Sequence, residues 1–171
     1  MECARRYRTG FGTKLMKLNL LAVGTKMPIW VTDGYQEYAK RMPRECSLHL
    51  HEIAPAKRGK SGSAEQWMRE EGERILAVIP NNHHVVALDV KGKAWSTEQL
   101  ADQLKAWMAD GRDVSLIVGG PDGLSNECLR RANQCWSLSP LTLPHPLVRI
   151  VLSEQLYRAW TVLQNHPYHR A

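Results

Sequence analysis

No apolar run in the sequence reaches the roughly 18 residues that a membrane-crossing helix needs, which excludes an integral helical membrane protein. The cysteines are few (Cys3, Cys46, Cys128 and Cys135), form no C-x-x-C pair and lack zinc-knuckle spacing. A secretory apolar segment is missing as well. A reducing cytoplasm is therefore the expected location, with the thiols buried and inert, and Cys128 and Cys135 sharing one helix. Neither H-E-x-x-H nor a set of paired metal carboxylates can be placed, so no metal is expected. A Walker loop and a G-x-G-x-x-G turn are also lacking, which counts against a Rossmann-type nucleotide enzyme. No internal repeat is visible.

What remains is an ordinary globular composition. The chain has 171 residues, 43% of them apolar and 23% charged, with 12 Gly and 9 Pro. That suits one domain large enough to fold without a staple. The formal charge is +6. Arg5, Arg6, Arg8 and Lys14 against Glu2 place half of it in the first fifteen residues. A mildly basic remainder tolerates an RNA or phosphate partner without demanding one.

Residues 1–15 are basic, contain glycine and follow no period. They read as a disordered extension, a cloning scar or translation from an upstream start, with a short presequence as a further option. From Met16 the chain alternates strand and helix. Strand patterns occupy 16–24, 47–54, 84–90 and 114–119, and 138–143 is a fifth extended candidate broken by Pro140. Helices are expected over 30–42, 63–79, 96–109, 125–135 and 147–165. Ser63…Gln66 and Ser96…Gln99 read as capping boxes, and Pro146 opens the last helix. The alternation argues an α/β domain with a mostly parallel sheet. The last helix carries apolar residues over more than one stripe. It should therefore be buried on two sides, by its own chain or by a second copy, and a symmetric dimer is the favoured reading.

Four segments carry candidate chemistry. Gly119-Gly120-Pro121-Asp122-Gly123-Leu124 follows a strand, where glycines let backbone approach a ligand, although a tight turn would look the same. Leu138–His145 is extended and nearly uncharged. Its backbone suits an adenine edge, and His145 suits phosphate binding or proton transfer. The tail His166-Pro167-Tyr168-His169-Arg170 could stack on a base and hold phosphate, or simply fray. Lys57-Arg58-Gly59-Lys60 is a basic loop suited to phosphate or to solvent. These readings do not name a reaction.

An ordered set of motifs goes further. It runs through Leu18–Gly24 with Thr25-Lys26, Val86-Ala87-Leu88-Asp89, Gly119–Leu124, Leu141-Thr142-Leu143-Pro144-His145, Arg149, Glu154–Ala159 and Tyr168-His169. From Met16 to Ala171 the chain resembles the small bacterial SPOUT-class methyltransferases that act on pseudouridine 1915 of 23S rRNA. The resemblance implies an α/β SPOUT fold with a C-terminal trefoil knot, in a homodimer with the 147–165 helix at its interface. It implies S-adenosylmethionine as cofactor, held by Leu88, Gly119, Gly120, Leu138, Ser139, Pro140, Leu141, Thr142 and Leu143. The product would be N3-methylpseudouridine in the 23S rRNA of the ribosome. Tyr168 and His169, brought to the cofactor by the tail, would act on the base. Lys57, Arg58, Lys60, His145, Arg149 and Arg170 would face RNA. The rival expectations are a non-catalytic ribosome-binding module and a SPOUT enzyme with another RNA target.

Overall fold

The computed structural model describes residues 14–170, so the expectations for residues 1–13 lie outside the described residues. Its strands are β1 (Met16–Val23), β2 (Cys46–Ile53), β3 (His84–Ala94), β4 (Val114–Val118) and β5 (Gln134–Ser137). The helices are α1 (Ile29–Ala39), α2 (Ala64–Ala77), α3 (Thr97–Asp110), α4 (Asn126–Arg131) and α5 (His145–Leu163), followed by a 3₁₀ turn at Pro167–Arg170. The sheet order is β2-β1-β4-β3-β5, and every pairing is parallel. No helix among the described residues is long and apolar enough to cross a membrane.

Alternation along the central strands builds two cores. Leu18, Leu20 and Ala22 of β1 face one side, with Tyr35 of α1, Leu104 of α3 and Leu152 of α5. Leu21 and Val23 face the other, with Ile75 of α2 and Cys128 of α4. The result is three layers, as strands buried on both faces require. Gly34 on α1 lets α5 approach closely: a Cβ there would stand 2.8 Å from Ile150 Cδ1. Trp95 stacks on Trp136 of β5 with centroids 5.1 Å apart, and meets Trp107 of α3 edge-on.

The helix starts follow side-chain capping. Ser96 accepts from Gln99 N while Gln99 Oε1 accepts from Ser96 N, which completes the box at α3. At α2 only half forms. Ser63 accepts from Gln66 N, but the Gln66 side chain donates to Glu70 instead. Gly111 ends α3 at φ +75°, a left-handed value that glycine adopts without a Cβ penalty.

Two expectations are corrected. The helix expected over 125–135 stops at Arg131, so Cys128 lies in α4 and Cys135 in β5. Asn133 is the cause. Its N–H donates to Val85 O, and its side-chain oxygen accepts from Val85 N, both at 2.8 Å. Those bonds draw the chain onto the sheet edge. Gln134 then bonds His84, Trp107 and Gln103 through its amide. The second correction is that 138–143 forms no strand. Pro140 has no donor for a ladder. Ser137 Oγ donates to Ser139 O and Leu141 N donates to Ser139 Oγ, so the local bonds bend the backbone.

At the amino ends of the strands, His83 Nδ1 lies 2.9 Å from Ser115 Oγ, and Asp113 accepts from Lys17 N at 2.8 Å. Burial holds the His83 pKa below its ordinary 6.5, with Asp113 pulling it up and Arg131 pushing it down. His145 is also lowered, first by burial and then by Arg149. Below pH 6.5 the unfolded chain therefore takes up these protons before the folded one does. The stability they confer is complete above that pH and is lost as the pH falls below it. The urea midpoint should decline between about pH 7.5 and about pH 5.5, still above the carboxylate range. His83→Gln should flatten part of the decline. An unchanged midpoint across this window would contradict the assignment.

Candidate active site

Because β3, β4 and β5 run parallel and side by side, their carboxyl ends open on the same edge. A cavity of about 1040 Å³ lies there. Three segments make its walls: Asp89–Gly92, Gly119–Leu124 and the stretch from Cys135 to His145. The first is a break in the β3–β5 ladder, because Leu88 and Lys93 both pair with Trp136 and the residues between them arch outward. Gly92 is required at its foot, since a Cβ there would lie 2.7 Å from the Trp136 backbone. The second is a tight turn closed by a Gly120–Gly123 bridge, with Gly123 at φ +92°. A Cβ on Gly119 would lie 2.4 Å from the carbonyl carbon of Gly123 and 2.8 Å from Leu124 N.

The lining is largely apolar, with Leu88, Val118, Leu138, Leu143 and Val148 among its side chains. Segment 138–144 belongs to no ladder, so its backbone groups are not committed to a neighbouring strand. Apolar side chains beside backbone polar groups that no ladder uses suit a flat heterocycle with hydrogen-bonding edges. The volume is ample for a nucleoside-sized ligand, and the absent Cβ atoms at Gly119 and Gly120 let the turn close on its own backbone and on Glu71. Among the described residues no group of His, Cys, Asp and Glu could hold a metal.

All the residues expected on the cofactor line this cavity except Pro140, which stands exposed between Ser139 and Leu141. The glycine turn and the 138–143 stretch thus become facing walls of one space. His145 lines it too, with its Nδ1 buried and unpartnered among the described residues.

The residues expected on RNA separate. Lys57 and Lys60 are exposed on the loop between β2 and α2. Arg58, between them, turns inward to Glu71 and Asp122. Arg149 is corrected: only 2% exposed, it is no surface contact for a phosphate. Its Nη2 donates to Gly24 O at 2.7 Å and its Nη1 to Glu52 at 3.0 Å, tying α5 to the end of β1.

Tyr168 and His169 were expected beside the cofactor and Arg170 on RNA; none of the three lines the cavity of its own chain. Tyr168 instead donates to Glu154 Oε1 at 3.0 Å, under the Arg158 guanidinium and edge-on to Tyr157. Burial, aided by Glu154, pushes its pKa up to about 12. The phenol therefore stays protonated at neutral pH and can donate a hydrogen bond but not act as a base. His169 Nδ1 is buried without a partner among the described residues. Arg170 is exposed.

Sequence reasoning missed the Asp89–Gly92 arch, the carboxylate of Glu71 and the pairing of Asp122 with Arg58. Gly92 between two lysines was the one signal for the arch. Nothing local marks Glu71 as buried.

Comparison with known proteins adds a lineage. The family model described as "Predicted SPOUT methyltransferase" matches residues 16–169. A Methylococcus capsulatus protein is 57% identical over 155 residues, covering 91% of this chain and 100% of its own. A Hahella chejuensis protein is 59% identical, covering 91% of this chain and 99% of its own. Both carry the name "Ribosomal RNA large subunit methyltransferase H". Among solved structures, "a probable methylase family protein" from Haemophilus influenzae Rd KW20 superposes with a TM-score of 0.53. It is 14% identical and covers 90% of this chain and 69% of its own, so that likeness concerns the fold.

The glycine turn is open to test by stability alone. Gly119→Ala must push against backbone and should cost about 1–3 kcal/mol in chemical denaturation. Gly120→Ala meets Glu71 Oε2 and Val23 side-chain atoms, at 2.8 and 3.2 Å, and should cost less. Gly59→Ala, with nothing within 4 Å, should leave the midpoint within experimental error. Equal costs for all three would show that the turn imposes no special constraint.

Proposed function

The chain belongs to the SPOUT methyltransferase family, and from that premise we propose that it transfers a methyl group from S-adenosylmethionine to N3 of a pseudouridine in 23S rRNA, on the assembled ribosome. That it is a ribosomal RNA methyltransferase follows from its family together with relatives of that name at near-complete coverage. The observation that supports the cofactor is the single cavity walled by the glycine turn and the 138–143 stretch. Its proper place would be the cytoplasm, where ribosomes are.

S-adenosylmethionine, when bound, supplies an electrophilic methyl group on a sulfonium sulfur. This chain's residues would do the rest. Leu88, Gly119, Gly120 and the 138–143 backbone would hold the cofactor, with Leu138, Leu141 and Leu143 excluding water from it. The base must lose its N3 proton as the N–CH₃ bond forms. Holding the two reactants in line supplies much of the rate, by roughly 7–11 kcal/mol in well-oriented cases. Tyr168, once its hydroxyl leaves Glu154, would donate a hydrogen bond to the base. His169, whose Nδ1 has no partner among the described residues, would accept its proton.

Because the tail does not line its own cavity, those roles require a second copy. A homodimer through α5, with the tail of one protomer reaching the cavity of the other, meets that need. Ile29, Trp30 and Leu147, at the starts of the packed helices α1 and α5, keep 77%, 53% and 37% of their surface open and supply apolar area for it. The C-terminal trefoil knot belongs to the same reading. The chain passes through both cavity walls, and α5 then returns across the sheet to α1 and α3.

Labelled S-adenosylmethionine should deliver its methyl to ribosomes lacking the modification, and mass spectrometry should map it to N3 of one pseudouridine. Label entering a different nucleotide would move the target within the family. Absence of cofactor binding would instead favour a ribosome-binding module. The dimeric site has its own test. His169→Ala should lower turnover far more than cofactor affinity. Mixed with a cavity variant such as Gly119→Val, it should recover activity that neither shows alone. A mixture as inactive as its components would exclude a site shared between protomers.

A further inference from the structure

Arg58 stands in the middle of the basic loop between β2 and α2 and keeps 30% of its side chain open, yet its guanidinium is held by two carboxylates. Its Nη1 donates to Glu71 Oε1 at 3.1 Å and its Nη2 to Asp122 Oδ2 at 2.8 Å. The guanidinium lies over the Trp67 ring, 5.3 Å from the centroid. Glu71, on α2, is 1% exposed, and its Oε1 also accepts from Ala56 N at 3.0 Å. Its Oε2 is buried against Gly120, where a Cβ would stand 2.8 Å away. Asp122 lies on the glycine turn that walls the cavity.

One planar, always-charged fork thus joins three pieces of the molecule: the loop, helix α2 and the cavity wall. The loop has few other anchors. Gly62 packs under Trp67, where a Cβ would lie 2.6 Å from the indole nitrogen, and Gly62 N donates to Gly59 O at 3.5 Å. Lys57 and Lys60 stand exposed on either side of Arg58. A phosphate contact by Arg58 would compete with two carboxylates already seated on its guanidinium, one of them buried. The lysines face no such competition among the described residues.

We infer that Arg58 is a positioning residue that couples occupancy of the cofactor cavity to RNA binding, by holding the Lys57–Lys60 loop against the Asp122 turn. A ligand seated against the turn fixes Asp122, and the fork passes that order to the loop. Lysines that are already ordered lose less freedom when they meet phosphates, so the two ligands favour one another, and by equal factors. This rests on the methyltransferase reading above and deepens it.

The test measures affinity for ribosomes lacking the modification, with and without S-adenosylhomocysteine, a cofactor product that fills the cavity without reacting. The wild-type chain should bind ribosomes at least ~5-fold tighter when the cavity is filled. Arg58→Gln should reduce that ratio to about one. Asp122→Asn should do the same while leaving the Arg58–Glu71 pair intact, which covers the case in which Arg58→Gln folds poorly. Arg58→Lys should not restore the ratio, since one ammonium cannot span both carboxylates. Lys57→Gln with Lys60→Gln should weaken binding in both conditions.

A merely structural fork would lower the melting temperature in these variants and leave the ratio alone. That result overturns the inference. So does a wild-type ratio of one. Equal weakening by Arg58→Gln with and without cofactor would make Arg58 a direct RNA contact and also overturn it. Calorimetry with S-adenosylmethionine separates the two levels. A wild-type chain that binds none would remove the methyltransferase reading itself, whereas normal binding and turnover with no coupling would remove this inference alone.

Discussion

A strand that runs parallel to its neighbours must deliver the chain to the same edge of the sheet as they do. With all pairings parallel and the order β2-β1-β4-β3-β5, every strand of this molecule obeys that constraint. The three segments that leave β3, β4 and β5 therefore have to share one edge. Each meets it differently: the first arches out of its own ladder, the second turns on glycines, and the third bends through serine and proline. The cavity is what lies between three ways of leaving a sheet.

Buried charge then holds that edge in place. Arg149 carries a guanidinium into the core, where the Gly24 carbonyl and the Glu52 carboxylate receive it. Glu71 brings a carboxylate in from the opposite layer and receives Arg58 and a backbone N–H. Such groups need not add much stability compared with apolar residues of equal size. Losing one partner is costly, because the remaining charge has nowhere to go. They act as registry marks, each fixing a loop to an element that lies far away in sequence.

That distance explains what the sequence makes legible. Local signals sufficed for β1 and β4, with their short apolar runs, and for α3, whose capping box closes within four residues. The glycine turn and the 138–143 stretch stood out because glycine, proline and a lack of charge are visible one residue at a time. Their union in one cavity came from the family resemblance. The end of α4 was not legible, because Asn133 stops the helix by bonding Val85, 48 residues earlier. The inward turn of Arg58 depends on Asp122, 64 residues away, and that of Arg149 on Gly24, 125 away. An arginine among lysines reads as solvent-facing until its carboxylates are seen. The docking of Tyr168 on Glu154 was hidden for the same reason, since nothing in a terminal Tyr-His pair says which helix it will cover.

The aromatic stack at the sheet edge has a consequence of another kind. Trp136 forms part of the cavity lining, and its ring lies almost flat on Trp95 at 5.1 Å, with Trp107 edge-on beyond. Indoles this close share their excited states, so the emission and near-ultraviolet dichroism of the trio belong to the group and not to one ring. A molecule settling against Trp136 alters the polarity around one member and is registered by all of them. The protein thus carries an unlabelled optical gauge of what enters that cavity, built from residues whose first task is to pack an edge strand.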